Sequence, residues 1–114
     1  MIGHSSGAVA SLRYAEQNKI FGSVLVGVCY TDTNDETEKA SGYYNHPWIW
    51  DKIKTNQNWI VQFASTDDPY IPITEPRYIH EKLNTEYSEY TDKGHFMITE
   101  FPEIIQILKN KLDK

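Results

Sequence analysis

Strands alternating with helices along this sequence predict an α/β fold, with about three parallel strands flanked by helices. Two apolar runs carry the prediction. Gly22 to Val28 and Trp59 to Ala64 are nearly unbroken and rich in β-branched residues, which suits strands covered on both faces. The third observation is the alternation itself: a helical segment is expected between each strand pattern and the next. The 114 residues form one domain, and 39% hydrophobic content with abundant Tyr and Trp supplies a packed core.

In chain order, Ala8, Leu12 and Ala15 recur at helical spacing with Val9 beside them, which predicts a helix over about 7–18. The strand over Gly22–Val28 follows. Thr31 to Lys39 holds Asp32, Asp35, Glu36 and Glu38, and reads as a solvated loop or short helix. Tyr43, Tyr44, Trp48 and Trp50 crowd the next stretch, and Pro47 is placed to begin a short helix through Ile53. After the strand over Trp59–Ala64 comes a loop, then a helix that Thr74 can cap, with Glu75 and Pro76 in its first turn and Ile79 and Leu83 inward. Glu86 to Thr91 alternates polar and aromatic residues, as a strand nearer an edge does. Thr99 is placed to cap a final helix with a stripe of Phe101, Ile105, Leu108 and Leu112.

The chemistry begins at Gly3-His4-Ser5-Ser6-Gly7, a G-x-S-x-G pattern that runs directly into the first helix. In α/β-hydrolases this pattern is the nucleophile elbow, a sharp strand-to-helix turn that exposes a serine hydroxyl. Ser5 is the candidate nucleophile, and the Ser6 backbone N–H at the helix N-terminus is a candidate oxyanion donor. A serine attacks only when a base takes its proton. In this superfamily the acid and then the histidine follow the serine along the chain. Asp68 follows the second strand and His95 the third, at the carboxyl ends of strands where catalytic groups of open α/β sheets gather. His95 is therefore the candidate base and Asp68 the candidate orienting acid. Asp67 is the rival acid, but Asp68-Pro69-Tyr70-Ile71-Pro72 fits the D-x-x-[IV]-P pattern found around the triad acid of this superfamily. Among the other histidines, His4 occupies the variable position of the elbow and is expected to point away from the hydroxyl. His80 is expected on a solvated helix face, and His46 precedes both acids.

GHSSGAVASLRYAE, ASGYYNHPWIWDKIK, VQFASTDDPYIP and DKGHF together resemble the retinoblastoma-binding protein 9 family of small serine hydrolases. The resemblance covers essentially the whole chain. It implies the C-terminal part of a small α/β-hydrolase, a Ser5, Asp68 and His95 triad, hydrolysis of small esters or amides, and no cofactor. It places the aromatic segment near the mouth of the site; those rings either shield the core or wall the acyl pocket. Trp48, Trp50 and Phe96 are the pocket-lining candidates. Family members carry a further N-terminal portion, so residues 1–114 are expected to form a single partial domain. The strand before the elbow is expected to be reduced to Met1 and Ile2, leaving the apolar edge of Val24–Val28 unpaired. The alternative to a working hydrolase is a truncated, catalytically impaired fragment or a protein-interaction module. The family name refers to pocket-protein binding through L-x-C-x-E, but the single cysteine lies in Gly27-Val28-Cys29-Tyr30-Thr31, so retinoblastoma binding is not expected.

Net charge of −5 disfavours nucleic-acid binding, which needs basic surface to neutralise phosphates. The lone Cys29, at the end of an apolar run, excludes an intrachain disulfide and reads as a buried structural thiol in a reducing compartment. No run of residues is long and apolar enough for a membrane span, and no secretory leader is recognisable. A cytoplasmic protein is expected. No H-E-x-x-H, C-x-x-C or nucleotide-binding glycine motif is present, and no metal site is expected.

Overall fold

In the computed structural model, which describes residues 1–96 and 102–112, the chain runs β1 (Ile2–His4), α1 (Ser6–Gln17), β2 (Gly22–Val26), α2 (Glu36–Ala40), α3 (Trp50–Thr55), β3 (Trp59–Ser65), α4 (Thr74–Leu83), β4 (Glu86–Tyr90) and α5 (Pro102–Leu112). The strands form one parallel sheet in the order β1-β2-β3-β4. A sheet ordered as its sequence, with right-handed crossovers, puts every connecting helix on the same face. Accordingly, Ala8, Val9, Leu12 and Ala15 of α1, Ile53 of α3, and Ile79 and Leu83 of α4 share one core with Leu25 and Ile60. Val24, Val26, Val61 and Phe63 face the other way, where Ile104, Ile107 and Leu108 of α5 cover them. Burial on both faces explains why β2 and β3 read as apolar runs rather than as alternation.

The sheet has four strands where the sequence predicts about three. The extra one is β1, expected to be reduced to Met1 and Ile2 and to leave the edge of Val24–Val28 unpaired. Ile2, Gly3 and His4 stand opposite Val24, Leu25 and Val26, and the Met1 carbonyl accepts the Val24 N–H. Three residues are too few to show a hydrophobic period, so the strand is visible only through its partner. Gly3 is where α1 crosses β1: a Cβ there would lie 2.6 Å from the Ala8 backbone.

Other expectations shift by a residue or a turn. β2 stops at Val26 rather than Val28 because Gly27 takes φ +61°. Pro47 does not begin α3. Its carbonyl and those of Tyr43 and His46 accept hydrogen bonds from the Arg13 guanidinium, while the Ile49 N–H is held by Glu16. The helix therefore starts only at Trp50. Thr74 is the first residue of α4 and not its cap; Ile73 holds the cap position without a side-chain bond, and the Pro72 carbonyl takes the Glu75 N–H. The inner face of α5 is Ile104, Ile107 and Leu108, whereas Ile105 is 59% exposed. Thr99 and Phe101 lie outside the described residues. His80 is half-buried rather than solvated, bonding Thr85 and stacking on Tyr87.

Arg13 is the main fastener of the aromatic segment to α1. Beside its three carbonyl bonds it pairs with Glu16 at 2.9 Å and lies 3.6 Å over the Trp48 ring. The paired side chains are 11% and 4% exposed, so removing one leaves a buried charge uncompensated. Arg13→Ala is expected to destabilise the domain by about 3–5 kcal/mol, lowering Tm by roughly 10 °C or more in a thermal melt followed by circular dichroism.

Candidate active site

The turn between β1 and α1 carries Ser5 in a backbone conformation rare for a side-chain-bearing residue, φ 56° and ψ −120°. Its N–H bonds the Val26 carbonyl at 2.9 Å, and its own carbonyl receives Ala8 and Val9. The turn is thus pinned to the end of β2 on one side and to α1 on the other, which is how strain survives at a functional position. Ser5 is also the cap residue of α1, yet its hydroxyl makes no cap bond. It is turned instead toward His95, whose Nε2 lies 2.9 Å from Oγ. The other ring nitrogen, Nδ1, lies 2.7 Å from Asp68 Oδ2. Asp68 Oδ1 accepts the N–H groups of Tyr70 and Ile71 at 2.8 and 3.0 Å, so the carboxylate has no freedom to rotate.

The His95 loop is held from several sides. Asp67 Oδ1 accepts the Gly94 N–H at 2.8 Å and the Ser65 hydroxyl at 2.5 Å. These bonds, that from Ser65 foremost, hold the Asp67 carboxyl below the usual carboxylate range. Asp67 therefore braces the loop, and Asp68 is the acid in contact with the imidazole. Gly94 and Phe96 take φ 56° and 58° on either side of His95. Gly27 leaves room for the ring, since a Cβ there would lie 3.3 Å from its Cε1 and Nδ1. His4 lies beside the His95 ring, with centroids 5.0 Å apart, and its Nε2 is 2.6 Å from the His95 carbonyl.

Ser5 and His95 open on a pocket of about 390 Å³. Cys29, Thr33, Asn34, Asp35 and Glu38 form one wall; Pro69, Tyr70 and Ile71 form another. The pocket-lining candidates of the sequence lie elsewhere. Trp48 and Trp50 stack on each other at 5.4 Å and line a separate cleft with Asp51 and Lys82, because Arg13 pulls their segment onto the outside of α1. Phe96 is buried on the α5 side of the sheet with Val26 and Phe63. The wall residues that pattern reading passed over, Glu38 above all, sit in the acidic run taken as solvated. Their signal is topological: they follow β2, at the end of the sheet where loops gather around a site. Among the described residues no cluster of His, Cys, Asp and Glu suits a metal ion, and no helix is long and apolar enough to cross a membrane.

The chain is 46% identical over 112 residues to the serine hydrolase RBBP9 of Rattus norvegicus, a match that covers 98% of this chain and 60% of the rat protein. The crystal structure of the ydeN gene product from B. subtilis superposes with a TM-score of 0.87 at 21% identity, over 99% of this chain and 64% of that one. The Pyrococcus furiosus esterase Pf2001 gives 0.66 at 13% identity, over 98% and 51%; these two likenesses concern the fold alone. The chain thus spans about three-fifths of the length of the rat relative. A family model described as serine hydrolase matches residues 1–110, and with it the chain belongs to the serine hydrolase family.

Proposed function

We propose that the chain hydrolyses small esters or amides through an acyl-enzyme, with Ser5 as nucleophile, His95 as base and Asp68 as the acid that orients it. One observation carries the reading: the continuous line from Asp68 Oδ2 through both nitrogens of His95 to Ser5 Oγ, at 2.7 and 2.9 Å, beside a pocket. With its Nδ1–H given to Asp68, the imidazole presents the bare Nε2 to the hydroxyl. Nε2 takes the Ser5 proton as Oγ bonds the carbonyl carbon. It returns that proton to the departing alcohol or amine, and then activates the water that releases the acid. The Ser6 N–H, in the first turn of α1 and so without an intrahelical partner, is the oxyanion donor we assign within this chain.

A pocket of about 390 Å³ is at the small end of ligand sites, which favours compact acyl groups. Neither a metal nor an organic cofactor enters this chemistry. With a net charge of −5 and no L-x-C-x-E sequence, neither nucleic acid nor the retinoblastoma pocket protein is proposed as a partner. The single free thiol of Cys29 favours a cytoplasmic setting. A fluorophosphonate probe tests the reading: we expect one adduct, mapped by peptide mass spectrometry to Ser5 and absent from Ser5→Ala. Equal labelling of the variant removes Ser5 from the nucleophile's role.

A further inference from the structure

We propose that Glu38 is a specificity-determining residue, whose carboxylate latches the flap formed by residues 33–40 against the nucleophile elbow and thereby limits the acyl group the pocket admits. The inference rests on the reading of Ser5 as the nucleophile.

The flap has little else to hold it. α2 is five residues long and buries none of them. The side chain of its cap, Asp35, accepts the flap's own Thr37 and Glu38 N–H groups, and the Asp35 N–H goes to the neighbouring Asp32 carbonyl. The chain enters it through Thr33 and Asn34 at φ 51° and 64°. Two successive left-handed residues, one of them β-branched, form a strained bend that persists only where neighbours enforce it. On the near side Glu75 does so, accepting the N–H and hydroxyl of Thr31. At the bend itself the Thr31 hydroxyl oxygen accepts the Thr33 N–H and Asp32 Oδ1 accepts the Asn34 N–H; on the far side the group that ties the flap to the rest of the fold is Glu38. Its Oε1 accepts the Ser6 hydroxyl at 2.6 Å, and its Oε2 accepts the Tyr44 hydroxyl at 3.1 Å. Tyr44 in turn lies 3.3 Å from Cys29 Sγ. Burial pushes the Cys29 thiol up to about 11, so it stays protonated and can donate to Tyr44, which donates to Glu38. Two charge-assisted bonds thus join the flap to the residue after the nucleophile and to the aromatic segment. A carboxylate at the N-terminus of the twelve-residue α1 is favoured there as well.

The flap's inner surface is one wall of the pocket: Thr33, Asn34, Asp35 and Glu38 face the space that Ser5 and His95 open on. While latched it closes that side; released, it swings on the Thr33–Asn34 bend and the pocket lengthens. Cys29, 4% exposed, then becomes accessible.

Two readouts test this. The first is alkylation of Cys29, the single cysteine of the sequence, by iodoacetamide, which needs no catalysis. Glu38→Ala is expected to react about tenfold faster than the parent protein. Glu38→Gln can still accept from Ser6 and donate to Tyr44, and is expected to stay within about twofold. Glu36→Ala, on the outward side of the same helix, is expected to leave the rate unchanged. The second is the ratio of Ser5 labelling rates by a long-chain and a short-chain fluorophosphonate, expected to rise about tenfold in Glu38→Ala and not in Glu38→Gln. Unchanged alkylation in a Glu38→Ala protein that melts like the parent overturns the latch. A labelled Ser5 with an unchanged ratio overturns the role of Glu38 in specificity alone, whereas an unlabelled Ser5 overturns the nucleophile assignment and takes the inference with it.

Discussion

Ser5→Ala and His95→Ala are each expected to lower kcat for a small ester by roughly 10⁴–10⁶-fold, and the double variant by no more than either alone. The reason is geometric. In the proposed triad the Ser5 hydroxyl, 2.9 Å from His95 Nε2, gives its proton to that nitrogen. Removing the hydroxyl leaves His95 with nothing to deprotonate, and removing the imidazole leaves the hydroxyl un-ionised at neutral pH. Two groups that act only as a unit cannot lose their contributions twice. Steady-state kinetics on all three variants checks this. Additive losses would show that the two residues act in separate steps.

Asp68→Asn is expected to lower kcat by about 10⁴-fold while leaving the fold in place. Oδ1 accepts the Tyr70 and Ile71 N–H groups, and an asparagine oxygen can keep both bonds. The amide nitrogen then takes the place of Oδ2, 2.7 Å from His95 Nδ1, and donates where the carboxylate accepted. Nδ1 is forced to become the acceptor, the ring proton moves to Nε2, and Nε2 donates to Ser5 instead of accepting from it. The imidazole remains where it was, in the wrong tautomer. Asp67→Asn separates the two acids. Its carboxyl braces Gly94 and Ser65 rather than the ring, so its effect is expected to be at least tenfold smaller. Comparable losses in the two variants would reopen the choice between Asp67 and Asp68.

Patterns confined to short stretches were legible in advance. α1, β2, β3 and β4 were recognisable because each is long enough to show its period or its apolar run. Ser5, Asp68 and His95 stand out as candidates because chain order and strand ends rank residues before any distance is known, and the fold brings the three within hydrogen-bond reach. β1 was not recognisable: three residues carry no period, and its pairing with Val24–Val26 is a relation between segments more than twenty residues apart. Trp48 and Trp50 were misplaced for a related reason. Aromatic residues look alike whether they line a pocket or a helix, and here Arg13, on another element, decides. Glu38 belongs to a run whose charge predicts a solvated loop or short helix, and local charge says nothing of what a side chain meets across the fold.

The sequence by itself determined the fold class, the elbow and the order of its candidate partners, since these follow from periodicity and spacing along one chain. The tertiary structure alone decided which side chains wall the pocket and how many strands the sheet has. Each of those depends on directional contacts between distant residues, formed only once the sheet has brought the ends of β1, β2, β3 and β4 to one edge.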